Sequence, residues 1–99
     1  METGISVACA VTSGIFMSEY IVKIEDKKAL LWQGAVDKDM VLLESKNEPQ
    51  KEKFIGGRIY AYLISFDANQ ALVELPVENV AGRRVSVPLS MVRKERVPA

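Results

Sequence analysis

The sequence predicts an all-β fold, a small barrel or sandwich of about seven strands. Apolar residues recur at period two along nearly the whole chain, and turn-forming residues punctuate it roughly every eight to twelve positions. Size is the third observation: 99 residues, 48% apolar and 26% charged, suit one small domain, 1–99, with a thin core.

Each element follows from its residues. Ile5, Val7, Cys9 and Val11 alternate with Ser6, Ala8 and Ala10, which makes a strand. Thr12-Ser13-Gly14 turns the chain into a second run, where Phe16, Tyr20, Val22 and Ile24 share one parity and Ser18 interrupts the stripe. Glu25-Asp26-Lys27-Lys28 is a charged turn before a third apolar stretch, Ala29 to Val36, which contains Trp32. Asp37-Lys38-Asp39 leads into Met40 to Glu44. Ser45 to Lys53, with three Lys, two Glu and Pro49 at its centre, is a solvated loop.

In the second half, Gly56-Gly57 forms a tight turn that opens a long strand, Arg58 to Phe66. Asp67-Ala68-Asn69-Gln70 reverses the chain and Ala71 to Leu75 returns. Pro76 ends that strand because it has no N–H for a ladder. Val77 to Gly82 is a loop, Arg83 to Val87 a strand, Pro88 to Met91 a short turn of 3₁₀ character, and Val92 to Val97 a last edge strand. Short helix fits only at Gln33–Val36 and Leu89–Arg93.

Symmetric pairing about the 67–70 turn sets Phe66 opposite Ala71, Ile64 opposite Val73 and Tyr62 opposite Leu75. Tyr60, Tyr62, Ile64, Phe66, Ala71, Val73 and Leu75 then form the core face. The other face carries Ile59, Ala61, Leu63 and Leu72, where a half-wet hairpin should be polar. Those four residues need cover, either from the 5–24 hairpin or from a second copy of the chain. They are the candidate self-association surface of a homo-oligomer, dimer or tetramer.

The chain has no His and one Cys. That excludes intrachain disulfides, Cys/His zinc sites, Ser-His-Asp triads and Cys-His dyads. Asp37 with Asp39 and Glu25 with Asp26 lie at turns, where carboxylates are ordinarily solvated. Gly56-Gly57 lacks the Lys-Ser/Thr of a phosphate loop. No catalytic, cofactor-binding or metal-ligating residue emerges, and no cofactor is expected.

Net charge is zero but unevenly spread. Arg83, Arg84, Arg93, Lys94 and Arg96 crowd the last segment against Glu95 alone. If the final run forms the strand beside Arg83–Val87, then Arg83, Arg84, Arg93 and Arg96 make a site for a protein partner. The same cations could hold phosphates and bind nucleic acid in a salt-dependent way. Against that, no aromatic stacking motif accompanies them, since Tyr60 and Tyr62 face the core. They could equally guard an edge strand. The apolar stretch Ile5 to Phe16 is too short to span a membrane and lacks a basic leader. A soluble cytoplasmic protein with a reduced thiol and no membrane association is the expectation.

From Gly57 onward the order long strand, hairpin, return strand, strand, one-turn helix and terminal strand is similar to the latter half of SH3-like barrels, over about 40 residues. Within it, Gly57-Arg58-Ile59 and Val85-Ser86-Val87-Pro88 resemble elements of the type II dihydrofolate reductases. Those small barrels build one active site in the pore of a homotetramer, with a Val-Gln-Ile-Tyr strand binding folate and nicotinamide cofactor. Here Ser86 replaces the Gln and Pro88 the Tyr, so no catalytic residue carries over. Trp32-Gln33-Gly34 matches a tripeptide of that family at a much earlier position. The resemblance implies an oligomeric pore- or cleft-forming small-molecule binder or reductase, with Ser86, Trp32 and Tyr60 as its contacts. The chain also has the general look of short proteins carried on mobile gene cassettes. The residues themselves favour a non-enzymatic interaction module that self-associates.

Overall fold

A computed structural model describes residues 3–77 and 82–96, excluding the side chains at positions 3 and 96. The strands are β1 (Thr3–Ser13), β2 (Glu19–Asp26), β3 (Ala29–Asp37), β4 (Val41–Leu43), β5 (Ile55–Phe66), β6 (Gln70–Glu74), β7 (Arg84–Pro88) and β8 (Val92–Arg96). Two 3₁₀ turns, Lys38–Met40 and Leu89–Met91, precede β4 and β8. The strands form one antiparallel sheet curled into a nearly closed barrel, in the order β3-β2-β1-β5-β6-β7, with β4 on β5 and β8 on β1.

β1 organises the barrel. Its Ile5–Val11 stretch pairs with Ala61–Ile55 of β5. On the other edge of β1, β8 takes Thr3–Val7 and β2 takes Ala10–Ser13. The β5-β6-β7 meander, the 3₁₀ turn and a last strand returning to β1 are consistent with an SH3-like barrel. β2, β3 and β4 are inserted between its first strand and the meander. The two ends of the strand path, β3 and β7, come together. There the Trp32 indole N–H donates to the Gly82 carbonyl, so Trp32 latches the barrel shut.

Period-two alternation fills the interior. Ile5, Val7 and Val11, Val22 and Ile24, Val36, Ile59 and Ala61, Ala71 and Val73, Leu75 and Val87 form one buried cluster. Burying each Val, Leu or Ile contributes about 1.5–3 kcal/mol before the cost of chain ordering. Phe16 does not join this cluster. β2 begins only at Glu19, which leaves Phe16 exposed with Ile15 and Met17 at the β1–β2 tip. Gln33–Val36 is strand, not helix, because β3 pairs with β2 throughout it.

Gly56 and Gly57 lie inside β5 and form no turn. A Cβ on Gly57 would sit 2.9 Å from the Leu42 carbonyl oxygen and 2.9 Å from Val11 Cγ2, so glycine lets β4 lie close over the core.

The expected hairpin register holds at its tip and fails further in. Phe66 does pair with Ala71. Ser65 then faces Leu72, but Leu63 faces Val73 and Tyr62 faces Glu74, so Ile64 is an extra residue with no partner on β6. This β-bulge reverses the parity of everything before it. Ile59 and Ala61, expected outside, are therefore in the core at 0% and 3% exposure. Tyr62 and Ile64, expected inside, are exposed.

Candidate functional site

The exposed surface that stands out is the far end of the β5–β6 ribbon. Tyr62, Leu63, Ile64 and Phe66 are 55%, 41%, 42% and 66% exposed. Aromatic and β-branched residues favour strand here, and the bulge turns the segment away from the core. The adjoining turn is well held. Asp67 Oδ1 accepts from the backbone N–H groups of Asn69 and Gln70, both at 2.8 Å, and the Asp67 N–H donates to the Gln70 carbonyl at 2.9 Å. Those backbone donors hold the Asp67 carboxyl below its usual range.

The register lines up a polar row beside the apolar one. Tyr62 faces Glu74, which faces Arg84. Glu74 Oε1 receives Arg84 Nε at 3.1 Å and lies 3.6 Å from Arg83 Nε. Next to it, Ser65, Leu72 and Ser86 align, and the Ser86 hydroxyl donates to Gln70 Oε1 at 3.3 Å.

Of the four residues expected to mediate self-association, Leu63 is exposed and Leu72 is half-buried on this ribbon, while Ile59 and Ala61 are sealed in the core. The structure brings Tyr62, Ile64 and Phe66 to the surface in their place. Parity reasoning assigned these three to the interior. The available signal was that β5 is apolar at both parities from Ile59 to Ile64, so one face had to emerge somewhere.

The basic residues do not gather into one patch. β8 pairs with β1, not with β7, so β1, β5 and β6 separate Arg93 from Arg84 along the sheet. Arg83 and Arg84 share Glu74, and Arg93 pairs with Glu95. The Arg96 side chain lies outside the described residues. Composition pointed to none of the role of Arg58. Its Nε donates to Ser6 Oγ at 2.7 Å, and its Nη2 donates to the carbonyls of Ser6 (3.2 Å) and Met91 (2.9 Å). Ser6 Oγ in turn donates to Glu95 Oε1 at 3.1 Å. The cluster ties β5, β1 and β8 together.

Two of the clefts among the described residues hold titratable side chains close together. One, of about 220 Å³, lies behind the exposed Ile15-Phe16-Met17 tip and is lined by Tyr20, Lys38, Glu48 and Pro49. The Tyr20 hydroxyl donates to Glu48 Oε2 at 2.7 Å; burial, with that bond second, pushes the phenol up to about 12. The other, of about 230 Å³, lies beside β1 between β2 and the Met91 turn, and holds Cys9 with Lys23, Glu25 and Met91. Ser86, Trp32 and Tyr60 are not brought together: Ser86 is exposed on β7, Trp32 latches the barrel, and Tyr60 is buried opposite Ser6. Among the described residues, no three Cys, Asp or Glu side chains are grouped as metal ligands would be, and no helix is long and apolar enough to cross a membrane.

No protein-family model matches the chain, and comparison with curated proteins and with solved structures finds no match.

Proposed function

We propose that this chain is a non-enzymatic interaction module that self-associates through the 62–66 end of the β5–β6 ribbon. One observation carries the reading: Tyr62, Leu63, Ile64 and Phe66 stand exposed together on an ordered strand, while the core is complete without them. Four exposed apolar side chains within five residues of so small a protein mark a contact surface. Arg83 and Arg84, docked on Glu74 beside Tyr62, supply the polar rim that such surfaces carry and are the contacts offered to a protein partner. Zero net charge lets copies approach without mutual repulsion.

Light scattering across a concentration range from about 5 to 500 µM tests this, since association follows mass action. A mass rising to a stable multiple of the chain supports it. A single-chain mass throughout the range sinks it. Arg84→Glu should weaken the association and Arg93→Glu should leave it unchanged, because only Arg84 borders the ribbon.

A further inference from the structure

The turn that joins β1 to β2 carries the most exposed large apolar side chains among the described residues. Ile15, Phe16 and Met17, in consecutive positions, are 87%, 67% and 92% exposed. The turn itself is firmly held. The Glu19 N–H donates to the Phe16 carbonyl at 3.3 Å and the Lys38 N–H to the Ser18 carbonyl at 3.1 Å. A Cβ on Gly14 would sit 2.5 Å from the Glu19 carbonyl oxygen, so glycine lets the base of the turn close. This tip lies at the far end of β1 from the 62–66 ribbon, because β5 sets Ile55 against Val11 and Ala61 against Ile5. The self-association reading does not account for it.

Polarity is layered behind the tip. Residues 12–18 carry no charge. At their base, across the cleft, stand Lys38 and Glu48, 3.8 Å apart, and the Tyr20 hydroxyl holds the carboxylate at 2.7 Å. Next comes the 45–53 loop with its mixed Lys and Glu, tied to the turn by the Thr12 hydroxyl, which donates to the Gln50 carbonyl at 2.8 Å.

We infer that the 15–17 tip is a membrane-contact point that dips into the surface of a zwitterionic bilayer. Near-complete exposure means that the three side chains project outward and line no groove. A protein partner would need a pocket cut to three splayed side chains, whereas a fluid interface adapts to them. The sequence apolar tip, dipolar pair, charged loop is also the order in which a bilayer presents acyl chains, headgroups and water. Lys38 and Glu48 offer one charge of each sign to headgroups that themselves carry a phosphate and a quaternary ammonium. Insertion is shallow, because the polar backbone of a turn cannot enter hydrocarbon. The expectation of no membrane association rested on the lack of a spanning stretch and a basic leader, and a surface contact needs neither. Three such side chains bury about as much apolar surface as one fatty-acyl chain, so binding is weak and reversible, with an association constant of at most about 10⁴ M⁻¹.

Co-sedimentation of the full chain with vesicles of phosphatidylcholine alone tests the contact. Half of the protein should be bound at about 0.1–1 mM lipid. That fraction should change little between about 50 and 500 mM salt, because no net charge is engaged. The triple variant Ile15→Ser, Phe16→Ser, Met17→Ser, checked for native circular dichroism, should bind roughly tenfold more weakly or not at all. In Phe16→Trp, lipids brominated on the acyl chains should quench the added indole and leave the wild-type Trp32 emission unchanged. A wild-type protein that ignores these vesicles overturns the proposal, as does a triple variant that sediments like wild type. Binding that requires anionic lipid and disappears with salt overturns it too, since the lysines and not the tip would then carry the contact. A triple variant that loses mass by light scattering, with no vesicle binding by wild type, would make the tip a contact between copies instead.

Discussion

Leu63 stands opposite Val73, and the next residue, Ile64, has no partner on β6 at all. That single extra residue decides which of two isoleucines of one strand is buried: Ile59 is in the core and Ile64 is exposed. Ile59→Ala should therefore cost about 2–5 kcal/mol, the range for emptying a core site. Ile64→Ala should cost less than about 1 kcal/mol, as for a surface residue. Urea unfolding of both variants measures the difference. The reverse order of losses would mean that the symmetric register without a bulge is the true one.

The contrast shows where reading the residues stops. Strand positions, the 67–70 turn, the 3₁₀ turn before the last strand and the SH3-like order of the second half follow from period-two patterning, from Gly, Pro, Asn and Asp punctuation, and from element order. Those signals are local. A one-residue bulge leaves no trace in composition when the strand is apolar at both parities, as β5 is from Ile59 to Ile64. The fate of the basic residues was equally hidden, because it depends on β8 pairing with β1, a contact some ninety residues away in sequence. Nothing in the residues around Arg58 marks it as the point on which β1 and the Met91 turn converge.

Arg58 should prove to be a structural residue. Its guanidinium spans Ser6 Oγ and the carbonyls of Ser6 and Met91, a fork that an ammonium cannot reproduce. Arg58→Ala leaves these partners without a donor, and each orphaned group costs about 1–3 kcal/mol where water cannot reach it. Arg58→Lys should recover little of the loss. A lysine variant that melts at the wild-type temperature would show that charge alone suffices.

The β2–β3 connection offers a gain in stability. Lys27 and Lys28 both adopt positive φ, 47° and 75°, in a two-residue hairpin turn between Asp26 and Ala29. That geometry favours Asn-Gly, and a left-handed conformation costs an ordinary residue about 1–2 kcal/mol. The double change Lys27→Asn, Lys28→Gly should raise the unfolding midpoint, offset in part by the added flexibility of glycine in the unfolded chain. A lowered midpoint would mean that the lysines make contacts worth more than the strain.

Acid should loosen the β1–β8 seam. The Arg93 side chain, with Ser6 Oγ, holds the Glu95 carboxyl below its usual 4.5. A depressed carboxylate adds stability above its unfolded value and loses it as pH falls through the folded one. Glu95→Gln should therefore be less stable than wild type near neutrality, with the gap closing below about pH 4. Thermal melts of the two proteins from neutral to acid pH follow that gap, and a gap that stays constant would remove Glu95 from the acid response.

Cys9 gives the alkaline counterpart. It packs against the core in the cleft beside Met91, and burial pushes its thiol up from the usual 9.0 to about 12. Arg58 pulls it down and Glu44 adds to the rise, but burial dominates. The thiolate is the reactive form, and a shift of this size lowers its population roughly 10³-fold at mildly alkaline pH. A thiol reagent at pH 8 should therefore label the native chain far more slowly than the urea-unfolded chain. The sign for stability follows from the raised value: the contribution is whole below the unfolded value near 9 and is lost as pH rises towards 12. Cys9→Ala should lack that alkaline loss. Labelling of the native chain as fast as the unfolded one would mean that Cys9 is open to solvent and that its side of β1 is not closed.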